Sequence, residues 1–131
     1  MEESFVKPLA DATYPAQAIY DMMEHLLLKA PFFQVQYGCP AVNLVSELAA
    51  TGDDSMSKAL YALMNQCLGA VQTSFQRGQM IGNIRSDVDP NAVADFVLAG
   101  YSGIRNMGKL FGASCYPVYL NELKRYLHEL V

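Results

Sequence analysis

The stretch "DFVLAGYSGIRNMGKLFG", residues 95–112, decides the fold class of this 131-residue chain. Its apolar side chains recur every three to four residues, which is the period of an α-helix. Three glycines, Gly100, Gly103 and Gly108, interrupt the helix, although glycine inside a helix costs about 1 kcal/mol relative to alanine. The preceding "DVDP" predicts Asp89 as the cap and Pro90 as the first helical residue, and the helix is expected to end at residue 112.

The apolar face of this helix is unusually wide. At 100° per residue it covers about half of the circumference. Most of the remaining surface is polar, and we place on it Asp95, Ser102, Arg105, Asn106 and Lys109. Because one neighbouring helix cannot cover so wide a face, we expect a second helix to approach closely over Gly100 and Gly103, and close packing then offsets the cost of the glycines.

The helical period continues on both sides of this stretch. It predicts further helices over about 13–30, 40–50, 55–79 and 116–130, and no segment alternates as a strand does. The predicted fold class is therefore all-α, in one domain of about five to six helices. We expect the last two helices of two subunits to form a four-helix bundle. The candidate dimer interface is Phe96, Gly100, Gly103, Met107, Phe111, Tyr116, Tyr119, Leu120, Leu123, Tyr126, Leu127 and Leu130.

Two segments resemble a known family: "YGCPAVNLVSELAATGDDSMSKAL" (37–60) and "FQRGQMIGNIRSDVDPNAVADFVLAGYSG" (75–103). With the order and lengths of the helices, they resemble the C-terminal domain of TetR-family transcriptional repressors. The motif matches are Gly38-Cys39, Arg77-Gly78-Gln79 and Asp89-Pro90. The resemblance implies an effector-binding and dimerisation domain. The family's N-terminal helix-turn-helix domain is not found here, so we expect an excised piece or a natural truncation, and DNA contact only through that missing domain.

Methionine and aromatic side chains supply the candidate effector site, because they line adaptable apolar pockets as well as ordinary cores. The effector is expected to be a small, largely apolar or aromatic molecule. Tyr101, at the border of its apolar face, could bond a ligand or pair across the dimer. The candidate ligand-binding residues are Met22, Met23, Leu26, Phe32, Phe33, Tyr37, Met64, Cys67, Leu68, Tyr101 and Ile104.

Composition argues against several classes of protein. The net charge is −4, and the nine Lys and Arg residues are scattered, whereas DNA binding needs a clustered positive face. Three cysteines without a CxxC motif fit a reducing cytoplasm. We expect no signal peptide, no membrane span, no metal and no cofactor. Charged residues are 17% of the chain, below the usual ~25%, which suggests surface hidden in a partner or around a ligand.

Two further side-chain groups have alternative interpretations. Cys39, at a predicted helix start, is either a sensor thiol or a small buried hydrophobe. His25 and Asp21, one turn apart, are either a solvated pair or part of a ligand, metal or base site. No catalytic motif is present, so we do not expect an enzyme. The rival hypotheses are a helical interaction module without a pocket and, less favoured, a helical enzyme that uses His25.

Overall fold

A computed structural model describes residue 9, residues 12–29 and residues 54–131. That part of the chain contains four α-helices and no strand, which confirms the all-α prediction. The predicted short helix over 40–50 lies outside the described residues. The helices are α1 (Pro15–Glu24), α2 (Asp54–Ile81), α3 (Pro90–Phe111) and α4 (Cys115–His128).

The ends of α3 follow the sequence signals. The Asp89 side chain accepts a hydrogen bond of 3.0 Å from the backbone N–H of Asn91, which satisfies an orphan donor of the first turn. Gly112 ends the helix with φ 85°, a conformation that L side chains rarely adopt.

The end of α1 differs from the prediction of a continuous α-helix to residue 30. After Glu24 the chain forms a π-helical turn over His25–Lys29. Both Leu26 and Leu27 are buried in this wider turn. A period of 3.6 residues cannot anticipate the turn, because the buried pair also fits an α-helical pattern.

The helices pack around one hydrophobic core. Helix α2 lies against α3, α1 against both α4 and α2, and α3 against α4. The core receives side chains from all four helices, and those with no exposed surface include Ile19, Met23, Cys67, Val71, Phe75, Ala94 and Val97. Burial of such side chains is the main stabilising term, at about 25 cal/mol per Å² of apolar surface.

The last turns of α2 are fixed to the segment that precedes α1. The Arg77 guanidinium donates hydrogen bonds to the carbonyl oxygens of Leu9 (3.1 Å) and Ala12 (2.6 Å). The neighbouring Gly78 is needed for space, because a Cβ there would lie 2.6 Å from Cγ1 of Ile84. This part of the motif that suggested the family therefore has a packing role.

The α2–α3 connection also anchors the end of the chain. The Arg85 backbone N–H donates to the carbonyl oxygen of Leu130 (2.9 Å), and its guanidinium donates to that of Glu129 (3.1 Å). Gln79 holds the connection itself, since its Nε2 donates to the carbonyl oxygens of Arg85 and Val88. The start of α1, this connection and the end of α4 consequently meet at one end of the bundle.

Candidate functional site

The wide apolar face of α3 is divided between two environments. One side, which includes Val97, Tyr101 and Ile104, is buried in the chain's own core. The other side remains exposed, as 49% of Met107 and 77% of Leu110 show. Tyr126 of α4, which is half-buried, meets this side at Phe96. We call this surface the α3–α4 apolar face, and it consists of Phe96, Gly103, Met107, Leu110, Phe111 and Tyr126.

Both helices contribute to the α3–α4 apolar face, and they are joined there by an aromatic contact. The ring centroids of Phe96 and Tyr126 lie 4.3 Å apart in a tilted arrangement. Contiguous exposed apolar surface of this kind is typical of an interaction site. Five of the residues predicted for the dimer interface, Phe96, Gly103, Met107, Phe111 and Tyr126, lie on it. Leu110 was not among the predicted interface residues, although its helical spacing from Met107 was the available signal.

Several predicted interface residues instead belong to the chain's own core. Tyr116, Leu120, Leu123 and Leu127 are each at most 3% exposed, and Leu130 is 9% exposed, within one chain. In the single chain these side chains are core residues, and their place in the dimer interface stays a prediction. The stripe was identified correctly as apolar, but its period could not distinguish the subunit's own core from a partner.

The three glycines of α3 also differ from one another. A Cβ at Gly100 would overlap the hydroxyl of Tyr119, and one at Gly108 would lie 2.6 Å from the hydroxyl oxygen of Tyr116. Both therefore accommodate α4 of the same chain, and the place of Gly100 at an intersubunit crossing stays a prediction. A Cβ at Gly103 meets nothing within 4 Å, and this position remains open on the apolar face.

Tyr119, which fills the space above Gly100, has an unusual hydroxyl group. The hydroxyl is buried and finds no hydrogen-bond partner in the described part of the chain. Burial disfavours the phenolate and raises the pKa of Tyr119 to about 12, from an ordinary value of 10.0. A buried donor without a partner is expected to destabilise the fold.

We predict that Tyr119→Phe raises the free energy of unfolding by about 1 kcal/mol at neutral pH, since it removes the unpaired hydroxyl. The wild-type tyrosine deprotonates near pH 10 when unfolded and near 12 when folded. Deprotonation of the unfolded state therefore lowers the stability of the wild type further as the pH rises from 10 toward 12, whereas below pH 10 its difference from Tyr119→Phe stays constant. Urea denaturation at pH 7 and pH 11 checks both effects. An equal alkaline loss in wild type and Tyr119→Phe would contradict this account, and the exposed Tyr14→Phe is the control.

The described members of the predicted ligand set all belong to the hydrophobic core or pack against it. Met22 and Met23 of α1, Leu26 of the π-helical turn, Cys67 of α2, and Tyr101 and Ile104 of α3 are all buried in the common core. Met64 and Leu68 of α2 are half-buried and pack against them. The three remaining members, Phe32, Phe33 and Tyr37, lie outside the described residues, as does Cys39. Three distant stretches of sequence supply these core side chains, to which we give the name methionine cluster: Met22, Met23, Leu26, Met64, Cys67, Leu68, Tyr101 and Ile104.

Arg105 lies on α3, the helix that also supplies part of the methionine cluster. We predicted it on the polar side of this helix, and the structure contradicts that prediction. Arg105 is fully buried, and its Nη1 donates to the Tyr116 hydroxyl oxygen at 3.5 Å. Residues 94, 98, 101, 105 and 108 form one buried stripe, so the spacing from Tyr101 was the overlooked signal. The apolar neighbours on the other side of the helix led us to draw the edge of the buried face so that it excluded Arg105.

A groove of about 920 Å³ lies at the end of the bundle where α1 begins and α4 ends. The α2–α3 connection forms its third side. It contains no residue of the predicted ligand set. Sequence reasoning missed it because its walls come from three segments that are far apart along the chain.

The remaining candidate, the His25–Asp21 pair, shows no organised site. Both side chains are exposed, and Asp21 accepts a hydrogen bond of 2.8 Å from Gln17. Within residues 12–29 and 54–131 no cluster of three or more potential metal ligands occurs. None of the described helices is both long and apolar enough to cross a membrane.

Comparison with known proteins assigns the family. The model described as "Tetracyclin repressor-like, C-terminal domain" matches residues 15–119, well over half of the chain. The chain belongs to the TetR family. The resemblance expected from the sequence is thereby confirmed for a TetR-family C-terminal domain. Searches among curated proteins and among solved structures each find no match.

The TetR-family match covers α1, α2, α3 and the first turns of α4. The methionine cluster and nearly all of the α3–α4 apolar face therefore lie within the family region. The wall of the groove that α4 supplies begins at Asn121 and lies beyond it.

Proposed function

We propose that this chain is the ligand-sensing and dimerisation domain of a TetR-type transcriptional regulator and has no catalytic activity. Its DNA contacts are made by an N-terminal helix-turn-helix domain outside this sequence, and the protein acts in the cytoplasm. One observation carries the proposal: the same helix, α3, presents buried residues to the methionine cluster and exposed apolar residues to the α3–α4 apolar face.

The α3–α4 apolar face is the proposed homodimer interface. Its exposed phenylalanine, methionine and leucine side chains are of the kinds that interfaces bury. Two copies that pair through α3 and α4 form a four-helix bundle, with Gly103 at the position where helices can approach most closely. The chain's low charged fraction agrees with a surface that is covered in solution.

The methionine cluster, together with Phe32, Phe33 and Tyr37, is the proposed effector site. Met64 and Leu68 are its most accessible described members. A small apolar or aromatic effector that inserts there would favour one arrangement of the helices over another. Because α3 joins the effector site to the interface, the shift changes the separation of two DNA readers, which must match half-sites about one helical turn apart. A hundredfold change in DNA affinity needs about 2.7 kcal/mol of differential effector binding.

A thermal-shift screen with small aromatic and aliphatic compounds tests the effector proposal. We expect at least one compound to raise the melting temperature, because a ligand that binds only the folded state stabilises it. Met64→Ala and Leu68→Ala are each expected to lower the affinity for that compound roughly tenfold, because each removes about 1.4 kcal/mol of apolar contact. Met80→Ala is the matched control, since Met80 is 86% exposed at the end of α2.

The rival hypothesis, a helical interaction module without a pocket, makes the opposite prediction. No compound would stabilise the chain, or every stabilising compound would be indifferent to both cluster variants. Either result would refute the effector proposal. The dimer proposal is tested separately and would not be affected.

A further inference from the structure

The groove at the end of the bundle has a chemical character unlike that of the methionine cluster. Its floor is apolar and includes Ala16, Ile84 and Leu127, which are all buried. Two tyrosines, Tyr14 and Tyr20, stand along one side. The opposite rim on α4 carries three basic side chains, Lys124, Arg125 and His128. Among the described residues that line the groove none is acidic, although the chain as a whole has a net charge of −4.

The basic rim carries more charge than the ion pairs of the described residues neutralise. Arg125 pairs with Glu122 at 3.0 Å, but Lys124 makes no ion pair with any described residue. Its Nζ lies 5.7 Å from the ring centroid of Tyr20, on the opposite side of the groove. The ammonium group is therefore held across the apolar floor, where a bound anion could reach it.

The acidic residues that adjoin the groove are occupied elsewhere. Asp21 accepts a hydrogen bond from Gln17, and Glu24 forms an ion pair of 3.3 Å with Lys29. Glu24 is also the nearest acid to the Tyr20 hydroxyl, and burial together with this carboxylate raises the pKa of Tyr20. Asp21 and Glu24 of α1 are thus not among the groove-lining residues, whereas Lys124, Arg125 and His128 are.

The groove and the α3–α4 apolar face use different sides of α4. Asn121, Lys124 and His128 follow one another at helical spacing on the side toward α1. Tyr126 meets Phe96 on the side of α4 toward the apolar face. Pairing of two copies through the apolar face consequently leaves the groove open.

We propose that this groove is a binding site for a small amphipathic organic anion, in which a carboxylate or sulfonate is joined to an aromatic or aliphatic body. The body lies on the apolar floor against Tyr20, and the anionic group accepts hydrogen bonds from Lys124 and His128. A volume of about 920 Å³ is that of a drug-sized ligand site. The inference does not rest on the proposed effector site, which lies in a different part of the fold.

Three probes with the same ring test the proposal by calorimetric titration of the whole chain at pH 7. They are 2-naphthoate (an anion), naphthalene-2-carboxamide (neutral) and 2-naphthylmethylamine (a cation). We expect 2-naphthoate to bind at least about tenfold more tightly than the other two, because charge-assisted hydrogen bonds are the stronger class. Raising the salt concentration should narrow that difference, since the rim is open to solvent.

Two variants with a matched control locate the binding. Lys124→Gln is expected to lower the affinity for 2-naphthoate about tenfold and to change the affinity for the neutral carboxamide by no more than about twofold. Tyr20→Ala is expected to weaken all three probes, because they share the ring that packs there. Lys109→Gln is the control, as Lys109 is an exposed lysine of α3 outside the groove.

Three results would overturn the proposal: no binding of any probe, equal affinity for all three, or a 2-naphthoate affinity that Lys124→Gln and Tyr20→Ala leave unchanged. If Met64→Ala and Leu68→Ala weaken 2-naphthoate instead, the anion occupies the methionine cluster. That outcome would refute the groove as an anion site and support the proposed effector site, so the two proposals fail separately.

Discussion

Gly108→Ala is expected to lower the free energy of unfolding by about 2 kcal/mol, although alanine is the better helix former. The added methyl carbon would lie 2.6 Å, 2.7 Å and 2.8 Å from three atoms of the Tyr116 ring and hydroxyl. Tyr116 is only 1% exposed and has no free space to enter. Overpacking at the upper end of its usual range, about 3 kcal/mol, outweighs the gain of about 1 kcal/mol in helix propensity.

Gly69→Ala is the matched control for that substitution. Gly69 lies in the middle of α2, and a Cβ built there meets nothing within 4 Å. Gly69→Ala should therefore raise the free energy of unfolding by up to about 1 kcal/mol through helix propensity alone. Urea denaturation of the two variants measures the contrast. Equal effects at the two positions would show that the close contact between α3 and Tyr116 is not what requires glycine.

Gly103→Leu is expected to weaken dimerisation on the order of a hundredfold, equivalent to about 2.7 kcal/mol, while the single chain still folds. Within one chain the position is open, so a leucine side chain has room. In the proposed dimer the second copy approaches closely over Gly103, and a leucine there would hold the two helices apart. The dissociation constants of wild type and variant are measured by sedimentation equilibrium.

Gly69→Leu provides the corresponding control for the dimer experiment, because it adds the same side chain to open space away from the α3–α4 apolar face. It should leave the dissociation constant within about twofold, the range usual for a surface change of up to ~0.5 kcal/mol. A Gly103→Leu chain with unchanged dimerisation would refute the role assigned to Gly103. So would a control that weakens the dimer equally.

The helical architecture could be predicted because its signals are local. Period, the Asp89 cap and Gly112 depend on residues a few positions apart, and the structure agrees with each of them. The division of each apolar face between core and surface could not be predicted in the same way. Leu120 and Val118 are two positions apart in one helix, and only the placement of α1 and α3 decides which is buried.

The same contrast between local signals and long-range packing applies to the candidate sites. The core position of the methionine-cluster side chains was predictable, because apolar residues at helical spacing fall on inward helix faces. The burial of Arg105 was not, since one polar residue on a buried stripe looks like an edge residue. The groove could not be predicted from the sequence either. It depends on hydrogen bonds that join distant parts of the chain, such as the one from the Arg85 backbone N–H to the Leu130 carbonyl oxygen.

Methionine oxidation of the unmodified chain tests the central claim that the α3–α4 apolar face is covered by a second copy. In the single chain Met107 is 49% exposed and Met80 is 86% exposed. Peroxide treatment across a range of protein concentrations, followed by peptide mass spectrometry, gives the oxidation rate of each. We predict that Met107 becomes protected as the concentration rises through the dimerisation range while Met80 stays reactive. Oxidation of Met107 at a rate that does not depend on protein concentration, in a chain that sediments as a monomer, would contradict the account.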